Sequence, residues 1–144
     1  MIAGPPNAVG GSLRVDGYLD ALGDRADPSL IVNGDYSRQS GADVMRGLLA
    51  SRPEIDAVFA ANDLMASGAI EAIRAAGLRV PEDIAVGGFD DSSAATASDP
   101  SITTMRQPFA RISSEMTRLL LEQIDGQPAA QLMLRTELIV RDST

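Results

Sequence analysis

Short apolar runs alternate along the chain with stretches in which apolar residues recur every three to four positions. This is the pattern of an α/β fold, strands alternating with helices around a parallel sheet. Ile2-Ala3 reads as a strand end, followed by a Gly/Pro loop from Gly4 to Gly11. Ser12 is placed to cap a helix carrying Leu13, Tyr18 and Leu22 that stops near Gly23. Leu30-Ile31-Val32 predicts a strand, and Val44, Met45, Leu48 and Leu49 mark the next helix, closed by Pro53. Ala57 to Ala60 predicts a buried strand. Asn62-Asp63 opens a helix with Leu64, Met65, Ala69, Ile70 and Ile73 at helical spacing, ended by Gly77. Ile84 to Phe89 is a further strand, Ser92 to Ser98 a short helix or loop, and Ile102 to Met105 extended. Pro108 suits the first turn of a long helix whose stripe is Phe109, Ile112, Met116, Leu119, Leu120 and Ile124. Gly126-Gln127-Pro128 breaks it, and Leu132 to Val140 closes the chain as a strand. Met45, Met65 and Met116 lie on apolar stripes and read as core.

Composition removes whole classes of chemistry. The 144 residues suit one domain. They contain no Cys, His, Trp or Lys, so all 12 basic residues are Arg. That excludes disulfides, thiolate nucleophiles, imidazole bases, Ser-His-Asp triads, Cys- or His-ligated metals, Schiff bases and the phosphate-loop lysine. No cofactor is implied. A net charge of −8 argues against the chain gripping nucleic acid by itself, because duplex binding rests on Lys and Arg neutralising phosphates. No apolar run approaches the ~20 residues of a membrane helix, and the start lacks a signal-peptide core. The expectation is a cytoplasmic chain. Met1 abuts a strand end, as expected for a piece of something longer.

Polar residues gather after strands: Asn62-Asp63 after Val58 to Ala61, and Asp90-Asp91 after Val86 to Phe89. Asp35-Tyr36-Ser37 and Ser12-Leu13-Arg14 open helices. In open α/β sheets ligands bind beyond the carboxyl ends of strands. Such a rim of Asn, carboxylates, Arg and Tyr suits a polyol, with carboxylates accepting from hydroxyls, Arg and Asn donating, and a ring covering C–H faces. Each residue has a plainer role available. Asn62 or Asp63 can be a helix cap, Asp90-Asp91 a solvated turn, Tyr36 ordinary packing and Arg14 a surface residue. The glycines of the first loop fit neither G-x-G-x-x-G nor G-x-x-x-x-G-K-[ST]. A carboxylate-dyad enzyme on Asp63, Asp90 and Asp91 is a competing reading. A helix-turn-helix is rejected, because Asp63 to Gly77 leads to Pro81 and then a strand.

Longer stretches carry a resemblance. Ala61-Asn62-Asp63-Leu64-Met65-Ala66, the run from Gly77 to Asp91 with Val86-Gly87-Gly88-Phe89-Asp90-Asp91, and Thr103-Thr104-Met105-Arg106-Gln107-Pro108 closely resemble the LacI/GalR family of bacterial transcriptional regulators. Ala3-Gly4-Pro5, Arg14 to Tyr18, Gly34 to Ser37 with Ser40-Gly41, and Glu137 to Arg141 extend the match over essentially the whole chain. The resemblance implies a fold like type I periplasmic binding proteins, with two Rossmann-like lobes, an effector between them and three chain crossings. By that reading residues 1–104 form the C-terminal lobe, 105–128 a returning segment of the N-terminal lobe, and 129–144 the closing strand of the C-terminal lobe and tail. The family's DNA-binding head and most of its first lobe have no counterpart in this sequence. Operator DNA would then be reached only through a head this chain lacks.

The resemblance also implies site roles. Arg14 donates to ligand hydroxyls, Tyr36 packs on the ligand, and Asn62 and Asp90 hydrogen-bond it. Gln107 and Phe109 reach it from the other lobe, while Asp63 is a cap or a support. The implied effector is a sugar or related polyol, the implied assembly a homodimer. Matching pairing surfaces are Ser37 to Met45, Leu64 to Ile73 and Ala94 to Pro100. A transport-type sugar-binding protein is the alternative. The helix from Phe109 to Ile124 would belong to the lobe that is mostly missing. Its six apolar side chains forgo roughly 1.5–3 kcal/mol each if left wet, against a domain's net ~5–15 kcal/mol. The expectation is that another copy of the chain covers it.

Overall fold

A computed structural model describes residues 1–144. In chain order the elements are β1 (Ile2–Ala3), α1 (Val9–Leu22), β2 (Val32–Asn33), α2 (Arg38–Ser51), β3 (Ala57–Phe59), α3 (Asp63–Ala75), β4 (Ala85–Asp90), α4 (Ser93–Ala97), β5 (Thr103–Arg106), α5 (Phe109–Ile124) and β6 (Glu137–Ile139). β1 pairs with β2 in parallel, and β3, β4 and β5 pair in parallel in that order. A bridge between Ile2 and Ala60 joins the two groups, giving the sheet order β2-β1-β3-β4-β5-β6. The closing strand makes the otherwise parallel sheet mixed, because β6 runs antiparallel to β5 with Met105 opposite Leu138. No helix is long and apolar enough to cross a membrane.

The core centres on α3. Met65, Ala66, Ala69, Ile70 and Ile73 are buried between α2 and the sheet face of Val58, Val86 and Ile102. Two glycines permit the close approach of α2 and α3. A Cβ on Gly41 would collide with the Met65 backbone, and one on Gly68 with the Arg38 carbonyl. At the start of the β4–β5 pair the tail completes the sheet. Ser143 is fully buried, its carbonyl accepts from Val86 N at 2.8 Å, and its hydroxyl accepts from Thr103 N at 2.9 Å.

Several expected boundaries move. α1 begins at Val9 rather than after Ser12, with Ala8 at its N-cap; the Ser12 hydroxyl instead donates back to the Val9 carbonyl. Leu30 is not in a strand. Asp27 caps a short 3₁₀ turn at Pro28–Leu30, which delays β2 to Val32. The closing strand covers Glu137–Ile139 only, and Leu132 and Met133 are exposed. Met45 and Met65 are core as expected. Met116 is not, because α5 buries no residue at all.

Candidate functional site

The carboxyl ends of β2, β1, β3, β4 and β5 form one rim, and the expected site residues lie on or beside it. Arg14 sits in the second turn of α1. Its guanidinium carbon lies 4.1 Å from the centre of the Phe89 ring, a cation–π contact, and its Nη2 lies 3.5 Å from Asp90 Oδ1. The side chain is 18% exposed, yet its Nε is buried with no hydrogen-bond partner. A buried donor left open costs free energy.

Asp90 ends β4 with a φ of 109°, in the left-handed half of conformational space that side chains disfavour. Its Oδ1 accepts from Gln107 Nε2 at 2.6 Å. Burial raises its pKa above the ordinary carboxylate value, and the nearby Asp63 charge adds to this. The Gln107 hydrogen bond and the Arg14 charge oppose it. Arg14, Asp90 and Gln107 are therefore one contacting group, drawn from α1, β4 and the segment after β5.

Asn62 and Tyr36 form a second group. Asn62 Oδ1 caps α3 by accepting from Met65 N at 2.9 Å, and its Nδ2 donates to the Tyr36 carbonyl at 3.0 Å. The capping role is therefore real, and it leaves one amide hydrogen and one oxygen lone pair for other partners. Tyr36 has a φ of 71° and wedges its ring against the first loop, where a Cβ on Gly4 would overlap the ring. Beside it, the Ser37 hydroxyl first and then the Ser37 N–H, which donates to Asp35 at 2.8 Å, hold the Asp35 pKa down to about 2. Phe109 is the first residue of α5 and 52% exposed, close in sequence to Gln107 but not packed into the rim.

Sequence reasoning missed the groups that hold this rim. Asp63 is not the cap. It is fully buried, and it accepts from Ser92 N at 2.6 Å and from Thr104 Oγ1 at 2.5 Å, tying α3 to the segment that follows Asp90. Asp91 is no solvated turn. Arg141 Nη2 and Arg106 Nε each lie 2.6 Å from one of its oxygens, its side chain is 10% exposed, and the Arg141 hydrogen bond above all lowers its pKa. With Asp63 and Asp91 both committed, only Asp90 keeps a free carboxylate oxygen, so the dyad reading lacks its second member. Period-two alternation along β4 was the one signal that could have placed Phe89 facing α1.

The sequence matches the periplasmic binding protein-like domain family over residues 1–144. The chain belongs to that family, in the form carried by LacI-type transcriptional regulators. It is 45% identical over 147 residues to the HTH-type transcriptional regulator CelR of Thermobifida fusca, covering 99% of this chain and 43% of that protein. A solved CelR–cellobiose complex superposes with a TM-score of 0.95 at 44% identity, covering 99% of this chain and 45% of that one. The lac repressor dimer bound to operator and the anti-inducer ONPF gives a TM-score of 0.92 at 33% identity, covering 99% and 51%. The domain thus spans less than half the length of the curated relatives it matches.

Proposed function

We propose that the rim of this LacI-type effector domain takes a neutral, hydroxyl-rich effector, a sugar or related polyol. Arg14, Gln107 and the open Asn62 amide hydrogen donate to it, Asp90 accepts from it, and Tyr36 and Phe109 supply apolar cover. The observation that carries this reading is the unsaturated pair at the centre: Arg14 Nε is buried without a partner, and Asp90 is a carboxylate whose charge burial disfavours. Groups held short of partners at strand ends are what a ligand completes. The cellobiose in the CelR structure supports the ligand class.

In a regulator-length protein, residues 1–104 and 129–144 would form one lobe, and 105–128 would contribute to the other. Effector binding would set the lobe angle, and through a homodimer the placement of DNA-binding heads that this sequence does not contain. That is allostery with two sites and one two-state element.

The test is a thermal-shift series with cellobiose, monosaccharides and nucleosides on a regulator-length protein carrying these residues. A sugar that raises the melting temperature of the parent and not of Asp90→Asn is expected. Protection that survives Asp90→Asn and Arg14→Ala unchanged would place the ligand elsewhere.

A further inference from the structure

Several arginines of this chain are held in the plane of the guanidinium. Arg141 donates through Nη1 to the Ile102 carbonyl at 2.8 Å and through Nη2 to Asp91 at 2.6 Å. Arg79 donates through Nε and Nη2 to the two oxygens of Asp83, at 2.9 and 2.8 Å. Such pairing fixes a guanidinium by consuming its N–H groups. Arg14 is held differently. The Phe89 ring lies against its face, with 4.1 Å from the guanidinium carbon to the ring centre. Its carboxylate neighbour, Asp90, stands 3.5 Å from Nη2, which is long for a hydrogen bond between charged groups.

The fold dictates this contact. Phe89 is the last residue of β4 before Asp90, and strand alternation sends its ring to the face opposite buried Val86 and Gly88. α1 packs on that same face, and Arg14 comes down from its second turn. One turn earlier Gly10 has no side chain, and a Cβ there would lie 3.5 Å from Arg14 Nη1. The three nitrogens are thus placed: Nη1 passes over Gly10, Nη2 approaches Asp90, and Nε is buried. An aromatic ring attracts a cation through its face and takes no N–H from the guanidinium edge. Phe89 therefore sets the plane of Arg14 and leaves its donors for other acceptors. An arginine already seated on a ring also has less rotamer freedom to lose when a ligand arrives.

We propose that Phe89 is a positioning residue of the effector site, its ring seating the Arg14 guanidinium so that the N–H edge meets the hydroxyl oxygens of the effector. This rests on the polyol reading above and adds to it a residue that acts through Arg14. A Phe89 that served packing alone would act through its strand partner Met105 and would be indifferent to the residue at position 14. A double-mutant cycle separates the two roles, because residues that work through one contact do not add.

The test uses a regulator-length protein carrying these residues, ¹⁵N-labelled at arginine, with cellobiose titrated by calorimetry. Without ligand, the Arg14 Nε–H resonance, assigned by its loss in Arg14→Gln, should lie upfield under the ring current and lose that shift in Phe89→Leu. Phe89→Leu, checked for unchanged circular dichroism, should weaken cellobiose binding about three- to tenfold, the size of one cation–π contact. Phe89→Tyr, which keeps the ring, should restore both the shift and the affinity. In the Arg14→Gln background Phe89→Leu should cost nothing further. An Arg14 resonance without the shift overturns the proposal. So does parent affinity in Phe89→Leu, and so does an equal loss in both backgrounds, which would make Phe89 a packing residue. A parent that binds none of cellobiose, monosaccharides or nucleosides overturns the polyol reading instead, and the resonance then decides the Phe89–Arg14 contact by itself.

Discussion

Asp63 and Asn62 are adjacent, and the structure assigns them unequal weight. Asp63→Ala removes the acceptor of two buried donors, Ser92 N–H at 2.6 Å and Thr104 O–H at 2.5 Å. A buried donor left open costs about 1–3 kcal/mol. The Thr104 hydroxyl can rotate to another acceptor and the Ser92 amide cannot. Deleting the carboxylate also relieves the desolvation of a fully buried charge. The expected net loss is therefore about 2–4 kcal/mol. Asn62→Ala removes one cap, about 0.5–2 kcal/mol. For a domain of this size each kcal/mol moves the melting temperature ~2–4 °C. Asp63→Ala should then melt roughly 5–15 °C below the parent, and Asn62→Ala only a few degrees below it. Asp63→Asn should fall between, because its amide keeps one acceptor and points a donor at the other donor. Thermal and urea unfolding followed by circular dichroism measure all three. An Asp63→Ala protein that melts within about 2 °C of the parent, or above Asn62→Ala, would refute the assignment. The consequence reaches the rim, since Ser92 lies two residues beyond Asp90 and its anchor fixes that turn.

Neighbouring aspartates should respond oppositely to pH. Asp91 has a lowered pKa, so its stabilisation is complete above the unfolded value near 4 and is lost as pH falls through the folded value; Asp91→Asn should lower the melting temperature at pH 7 and converge with the parent in acid. Asp90 has a raised pKa, so its ionised form costs stability at neutral pH, and that cost fades as pH falls through the folded value. Asp90→Asn, which keeps an acceptor for Gln107, should melt at or above the parent at pH 7, and a clear drop there would contradict the account. Two glycines of α2 should also part company. Gly41→Ala should destabilise by about 1–3 kcal/mol, because its methyl would enter the Met65 backbone. Gly47→Ala, with nothing within 4 Å, should gain up to ~1 kcal/mol in helix propensity; urea midpoints that rank the two the other way would show that α2 and α3 are not held in close contact.

What the sequence disclosed and what it withheld divide by the distance to the partner. Helix α3 was legible because its cap and apolar spacing are local. So was the trend of strand and helix, and with it the rim of strand ends where Arg14, Asn62 and Asp90 were expected. The start of α1 was not legible, because Gly10-Gly11 reads as loop by propensity. Gly11 is glycine for a tertiary reason: it is buried, and a Cβ there would press on the Tyr36 hydroxyl and the Pro5 carbonyl. Asp90-Asp91 looked like a pair of equals. Both residues take positive φ, 109° and 56°, so strand alternation cannot say where either side chain goes.

Their roles are set by chain far away. Arg106 lies 15 residues beyond Asp91 and Arg141 lies 50 beyond it; Thr104 lies 41 beyond Asp63. No local pattern encodes those meetings, yet they decide which carboxylate remains available. Arg106 precedes α5 and Arg141 follows β6, so Asp91 ties both ends of the excursion through α5 to the turn that presents Asp90. Asp91 is thus saturated by ion pairs, while Asp90 beside it is left with a free oxygen. A saturated residue next to an unsaturated one suits a binding rim: one fixes the geometry, and the other still has an oxygen open to a partner.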